Sequence, residues 1–290
     1  MYKINFYNRF TSNHLGNFQV LISMAKEIKI RGINLVFDDL GTGEVVFFVH
    51  GQPFNRSMWA PQIKTFSETH RLIIPDLRGY GDSISPKNNT IILLDELALD
   101  LLHLLEELHI AKAVFVGLSM GGQVVLELYR LAPRLFKGLV LADTDARAET
   151  EDSYKHRLEL ATKIKADGME KFTDERIHLF MCDDTFKNNP EAVAHLREMM
   201  ITTNAASSAA VQRGRAERRD HANLLSEINI PALIIVGEED EFTPIATAKF
   251  MHDRIKQSKL SIIKNSGHIP NMEQPGAFNK VLADFLNQLK

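Results

Sequence analysis

An α/β protein built on a mostly parallel eight-stranded sheet, with helices on both faces and one helical insertion, is the fold this sequence predicts. Three observations carry that expectation. Six short runs, VVFFVHG (45–51), RLIIPD (71–76), AKAVFVG (111–117), KGLVLAD (137–143), PALIIVG (231–237) and KLSIIKN (259–265), have the continuous apolar, β-branched character of strands buried on both faces. Amphipathic patterns lie between several of them, and strands alternating with helices mean parallel strands joined by crossovers. The alternation stops between 146 and 222, where the pattern is helical throughout.

In chain order, residues 1–25 do not form a secretory signal, since the apolar stretch is short and broken by Gln19 and Ser23. Met24 offers a second start, and residues 1–23 are expected to be dispensable. EIKIRG and INLVFDDL alternate in polarity and read as the first two strands, a hairpin turning at Arg31-Gly32. Gly41-Thr42-Gly43 is the next turn, before the first parallel strand. Leu97, Leu101, Leu104, Leu105 and Leu108 make one helical stripe, and helices are also expected over 121–131, 245–257 and 275–289. Within the insertion, Tyr154, Leu158, Ala161 and Ile164 share a face, and Asn189-Pro190 supplies an N-cap and a first-turn proline for a helix carrying Val193, Leu196 and Met200. Phe172, Phe180, Met181, Met199 and Met200 are expected to form its core, with one or two lining an acyl pocket. The predicted organisation is an extension (1–25), a first part of the core (26–145), a helical cap (146–222) and a second part of the core (223–290).

Composition narrows the function. With 34 Lys and Arg against 37 Asp and Glu, the chain has a net charge of −3, without the basic excess of a nucleic-acid binder. No apolar run reaches the ~20 residues that span a bilayer. The single cysteine, Cys182, excludes a disulfide scaffold and points to a reducing, cytoplasmic setting.

The chemistry concentrates at Gly117-Leu118-Ser119-Met120-Gly121-Gly122, between a strand and a helix. G-x-S-x-G at that junction is a nucleophile elbow. Gly117 and Gly121 are needed because side chains there would clash across the tight turn. Ser119 then projects above the sheet at a helix N-terminus, where developing negative charge is favoured. A Gly-rich turn with an incidental serine is the bland alternative.

A serine hydroxyl needs a base, and the base needs an orienting acid; on such a sheet they follow in the order Ser, acid, His. Of the histidines after the insertion's main helices, His221 lies in a charged segment and His252 mid-helix, and both are expected on the surface. His268, in the loop NSGHIPN after the last strand, sits where ligand sites of open α/β sheets form. Asp240, in GEEDEFTP after the preceding strand, is the preferred acid. Glu238, Glu239 and Glu241 are its neighbours, and Asp143 and Asp145, after the sixth strand, are the serious rivals. The oxyanion of an acyl transfer needs two donors. Met120 N–H is one; the other is expected from Gln52, whose side-chain amide is a further candidate, in the loop His50-Gly51-Gln52-Pro53. There Gly51 permits close approach and His50 braces the loop.

Together, HGQP, DLRGYGDS (76–83), GLSMGG, GEEDEFTP and SGHIPNMEQP resemble the α/β-hydrolase fold family over nearly all of 26–290. Within it, MWAPQI (58–63), LADTDARAET (141–150) and HIPNMEQPGAFN (268–279) are most similar to the 3-oxoadipate enol-lactonases and small-ester esterases. The resemblance implies a serine hydrolase with a triad of Ser119, Asp240 and His268, a helical cap and no cofactor or metal. Its substrate would be a small carboxylic ester or lactone. Serine in place of aspartate at the elbow speaks against haloalkane dehalogenases and epoxide hydrolases. A perhydrolase or acyltransferase, a C–C bond hydrolase and a non-catalytic binding protein are the alternatives, and monomer and homo-oligomer are both open.

Three weaker patterns remain. Arg213, Arg215, Arg218 and Arg219 are expected on a solvated helix face, with the alternative that one of them enters the site to pair with a substrate carboxylate. His178 and Cys182, four apart, lack the further ligands a metal site needs. Gly79-x-Gly81 fails the dinucleotide pattern at Ile84.

Overall fold

The computed structural model describes residues 25–86 and 89–289; the expectations for the N-terminal extension and for Met24 lie outside them. Eight strands form one sheet: β1 Lys26–Ile30, β2 Ile33–Leu40, β3 Val45–Val49, β4 Arg71–Pro75, β5 Ala113–Leu118, β6 Phe136–Ala142, β7 Ala232–Gly237 and β8 Ser258–Ile263. Their order is β1-β2-β4-β3-β5-β6-β7-β8. Only β2 runs against the rest. It pairs antiparallel with β1 through the Arg31-Gly32 turn, where both residues have positive φ, and antiparallel with β4.

The helices are α1 Ala60–Phe66, α2 Leu94–Glu107, α3 Met120–Leu131, α4 Glu151–Arg176, α5 Asp183–Asn188, α6 Pro190–Thr202, α7 Ala205–Ala216, α8 Ala222–Leu225, α9 Ile245–His252, α10 Pro270–Glu273 and α11 Pro275–Gln288. Strand pleating sorts their partners. Along β3, Phe47 and Val49 face one side of the sheet and Val46 and Phe48 the other. The first side packs on α2 and α3 through Leu97, Leu101, Leu104, Val124 and Val125, and on α9 through Ala248 and Met251. The second packs on α1 and α11 through Ile63, Phe66, Phe278, Leu282 and Phe285. Burial on both faces explains the continuous apolar runs of β3 to β7. The edge strand β8 departs from them, with Ile262 exposed.

Helices α4 to α8 lie between β6 and β7. Asn189 caps α6 by accepting from Ala192 N, with Pro190 at the first position. Helix α4 breaks at Gly168, whose φ of 84° departs from helical geometry. Helix α1 was not read from the sequence, because its seven residues are too short for a periodic stripe. Helix α9 ends at His252, five residues before the expected 257, because the chain must turn there to enter β8 at Ser258.

Candidate active site

Ser119 stands between β5 and α3 with φ 54° and ψ −120°. This strained left-handed backbone is held from three sides. Ser119 N–H donates to Ala142 O at 2.9 Å, Thr144 Oγ1 donates to Ser119 O at 2.6 Å, and the glycines remove obstacles. A Cβ on Gly117 would lie 2.5 Å from Gly121 O, and one on Gly121 would lie 2.1 Å from Val49 O. The clash argument made from the sequence therefore has definite partners.

Ser119 Oγ lies 2.8 Å from His268 Nε2, and His268 Nδ1 lies 2.9 and 3.0 Å from the two oxygens of Asp240. All three residues are buried. An ionised carboxylate only accepts, so Nδ1 carries the proton, and Nε2 is left as the acceptor for the serine hydroxyl. Burial alone would raise the Asp240 pKa. The charge and hydrogen bond of His268, with hydrogen bonds from the hydroxyl and N–H of Thr243, outweigh it and hold the carboxyl at about 2.

The rival acids are placed elsewhere. Asp145 pairs with Arg147 at 2.8 Å, and Glu238, Glu239 and Glu241 are exposed. Asp143 is buried beside Asp240 and His268. One of its oxygens accepts from Gly237 N–H at 2.8 Å and the other has no hydrogen-bond partner. Burial and the adjacent Asp240 charge push its pKa well above the ordinary carboxylate value, and the carboxylate that His268 Nδ1 meets is that of Asp240. Asp143, Asp240 and His268 are also the one group among the described residues with three potential metal-ligating atoms close together. Their facing atoms are already joined by the His268–Asp240 hydrogen bond. His178 is exposed, while the thiol of Cys182 contacts Thr185 and Asn265 O, so the two form no ligand pair.

The loop after β3 comes against the elbow. A Cβ on Gly51 would lie 3.1 Å from Ser119 Cβ, which is how closely its backbone approaches. His50 braces this loop, with Nδ1 donating to Gly51 O at 2.8 Å and Nε2 accepting from Leu77 N–H at 2.9 Å. Burial holds its pKa down at about 4, so it stays neutral. Among the described residues, neither Gln52 N–H nor Met120 N–H donates to another group. The Gln52 side chain is occupied: its Nε2 donates to Ser208 O at 3.1 Å and its Oε1 accepts from Arg215. Its amide is thus a strut of the cavity wall, and the backbone N–H is the donor left over.

A cavity of about 450 Å³ opens over Ser119, His268 and Gln52, and the helices between β6 and β7 wall it with Phe172, Arg176, Phe180, Gln212 and Arg215. A second cavity, about 580 Å³, is lined by α4, shares His156, Leu160, Phe172 and Arg176 with the first, and contains none of Ser119, Asp240 and His268.

Two surface expectations are corrected here. His221 is buried and pairs with Glu127 of α3 at 2.7 Å. Arg215 is buried as well, and only Arg219 of the arginine cluster is strongly exposed. Charged letters concealed their burial because α7 is lined with small residues, AASSAAVQRGRA, which let it pack closely enough to carry a guanidinium inward. Glu273, not singled out in the sequence, accepts from Cys182 N–H and Gly267 N–H and fixes the loop carrying His268. Its only signal was an acid amid apolar residues in HIPNMEQP.

A doubly wound sheet with a serine elbow at the C-terminal end of its central strand defines a hydrolase of the α/β class. The chain belongs to the α/β-hydrolase fold family, whose model matches residues 44–275. It is 32% identical over 225 residues to 3-oxoadipate enol-lactonase 2 of Acinetobacter baylyi, covering 78% of this chain and 82% of that protein. Among solved structures, a thermophilic esterase from Thermogutta terrifontis in its malate-bound form superposes with a TM-score of 0.87 at 33% identity, covering 91% of this chain and 98% of that one. The enol-lactonase from Burkholderia xenovorans LB400 superposes with a TM-score of 0.83 at 26% identity, covering 90% and 99%. Among the described residues no helix is long and apolar enough to cross a membrane.

Proposed function

We propose that this protein is a cofactor-free serine hydrolase of small carboxylic esters or lactones. The observation that carries the reading is the unbroken relay from Asp240 through His268 to Ser119, at 2.9 and 2.8 Å. His268 Nε2 takes the hydroxyl proton as Ser119 Oγ bonds to the substrate carbonyl carbon. The carbonyl electron pair moves to oxygen, and the oxyanion is received by Gln52 N–H and Met120 N–H. Collapse breaks the bond to the alkoxy group, which takes its proton from His268. Water then repeats the sequence on the acyl-enzyme, giving the acid and restoring Ser119, while Asp240 keeps the imidazole in the required tautomer. In a lactone the leaving oxygen stays tethered, so ring opening yields one molecule. The helices over 146–222 would act as the cap, shielding the acyl-enzyme from bulk water.

The relatives named enol-lactonases and esterases support this class of reaction. Its test is a panel of 4-nitrophenyl esters and lactones with wild type and Ser119→Ala. A fall in kcat of roughly 10⁴-fold or more is expected, with a fluorophosphonate probe labelling wild type alone. Wild-type turnover by Ser119→Ala would overturn the mechanism.

A further inference from the structure

Of the large apolar side chains exposed among the described residues, Ile84, Ile91, Phe242 and Ile262, only Phe242 lines the cavity over Ser119. It follows Asp240 by two positions, and its N–H donates to Asp240 Oδ1 at 2.9 Å, which ties the residue to the relay. The Phe242 and His268 rings meet edge to face, with centroids 4.9 Å apart. Phe180 completes an aromatic corner. Its ring lies 5.0 Å from that of Phe242 and 6.0 Å from that of His268, and Phe54 packs against it at 5.4 Å. Phe54 and Phe180 are buried, whereas Phe242 is 39% exposed.

A lone apolar side chain on an outer surface needs no explanation. One in the concave wall beside a nucleophile carries apolar area that a ligand covers on binding. The chemistry says which part of a substrate reaches it. In the tetrahedral intermediate the oxyanion turns to Gln52 N–H and Met120 N–H, while the leaving alkoxy oxygen must come within hydrogen-bond reach of His268 Nε2 to take its proton. The group on that oxygen therefore passes beside the imidazole, whose aromatic neighbours among the described residues are Phe242 and Phe180.

We propose that Phe242 is a specificity-determining residue that holds the alcohol half of the substrate, so that this site prefers esters whose alcohol carries an apolar ring. Edge-to-face or offset pairing of that ring with Phe242 adds to the area it buries. The inference rests on Ser119 being the nucleophile, and its test keeps the two apart.

The decisive comparison is kcat/KM for benzyl acetate against methyl acetate. Their alcohols are of nearly equal acidity, so the ratio reports the ring and not the ease of expelling the alkoxide. Wild type is expected to favour the benzyl ester by roughly 10-fold or more. Phe242→Ala should bring the ratio down towards one, and Phe242→Tyr, which keeps the ring, should retain most of it. A merely structural role would slow both esters alike and leave the ratio in place. The acyl half supplies the control: the ratio of methyl phenylacetate to methyl acetate should be the same in Phe242→Ala as in wild type. If Phe242→Ala does not fold, Phe242→Leu, which keeps most of the volume without the ring, should give a benzyl-to-methyl ratio between those of alanine and wild type. Equal wild-type turnover of the two acetates, an undiminished ratio in folded Phe242→Ala or Phe242→Leu, or an equal fall in the acyl ratio would each overturn the proposal. Failure of the hydrolase reading itself would be distinct: turnover of all three esters would then be indifferent to Ser119→Ala.

Discussion

The carboxylate of Glu273 and the backbone N–H of Cys182 meet at 2.7 Å, although 91 residues separate them in the chain. The same oxygen accepts from Thr185 Oγ1 at 2.9 Å, and the other oxygen from Gly267 N–H at 2.8 Å. One residue on, His268 N–H donates to Phe180 O at 3.0 Å. The loop carrying His268 is therefore fastened to the segment between β6 and β7, and the imidazole takes its position partly from it.

Removing this clamp leaves buried N–H groups without acceptors, at about 1–3 kcal/mol each. Glu273→Ala is expected to lower the unfolding free energy by about 2–4 kcal/mol in urea titrations. Glu273→Gln should lose less, because its amide oxygen still accepts. The loosened loop also displaces His268, so kcat of Glu273→Ala should fall about 10- to 100-fold under conditions where it remains folded.

Asp143 predicts a pH dependence of the opposite sign to a salt-bridged acid. Its folded pKa is raised by burial and by Asp240, so the folded state holds a proton that the unfolded chain has released. Stability is then full below the unfolded pKa, about 3.9, and is lost as pH rises towards the folded value, by about 1.4 kcal/mol per unit. Asp143→Asn keeps an acceptor for Gly237 N–H and removes this loss. Its unfolding free energy relative to wild type should therefore increase as pH rises above the unfolded value, and a pH-independent difference would contradict a raised pKa for Asp143.

Asp240 works the other way. With its carboxyl held at about 2 by His268 and Thr243 against the effect of burial, its contribution is present above the unfolded pKa and lost as pH falls from about 4 to 2. That contribution is about 2–3 kcal/mol, and Asp240→Asn should show a correspondingly shallower acid-unfolding limb. Its kcat for a 4-nitrophenyl ester should fall about 10⁴-fold at neutral pH, because an amide can hold the wrong imidazole tautomer.

What the sequence disclosed divides along physical lines. The elbow was legible because its pattern is local: two glycines and a serine at a strand–helix junction, although only the Gly117 clash lies within the turn and that of Gly121 is with β3. Asp240 and His268 were legible as loop residues after β7 and β8, because strand order fixes which loops share one end of the sheet. The separation of Asp240 from Asp143 was legible only as a preference, since both loops reach the same place, both acids are buried, and the contacts with His268 and Thr243 are what single out Asp240. Arg215 and His221 were misread for a related reason. A charged letter on a helix of weak amphipathic pattern says nothing about which neighbour covers it, and their partners, Gln52, Gln123 and Glu127, lie about 90 or more residues away.

Gly121 offers the sharpest separation of backbone from side-chain chemistry, because it removes no functional group. Its Cβ position lies 2.1 Å from Val49 O and 2.7 Å from His50 O, so alanine must push β3 and the following loop away from the elbow. The obstacle is backbone at the centre of the sheet, flanked by the fully buried Phe48 and Val49, and no flexible side chain can yield in its place. Gly121→Ala is expected to lower the unfolding free energy by about 3 kcal/mol, measured by thermal and urea unfolding. The folded fraction should have lost activity out of proportion, since the movement parts Gln52 N–H from Met120 N–H, and each oxyanion donor is worth about 10²–10³ in kcat. Labelling of Ser119 by a fluorophosphonate, which depends on the same oxyanion site, should slow in parallel with ester turnover. A Gly121→Ala enzyme that kept wild-type turnover would mean that the loop after β3 supplies no donor to the oxyanion.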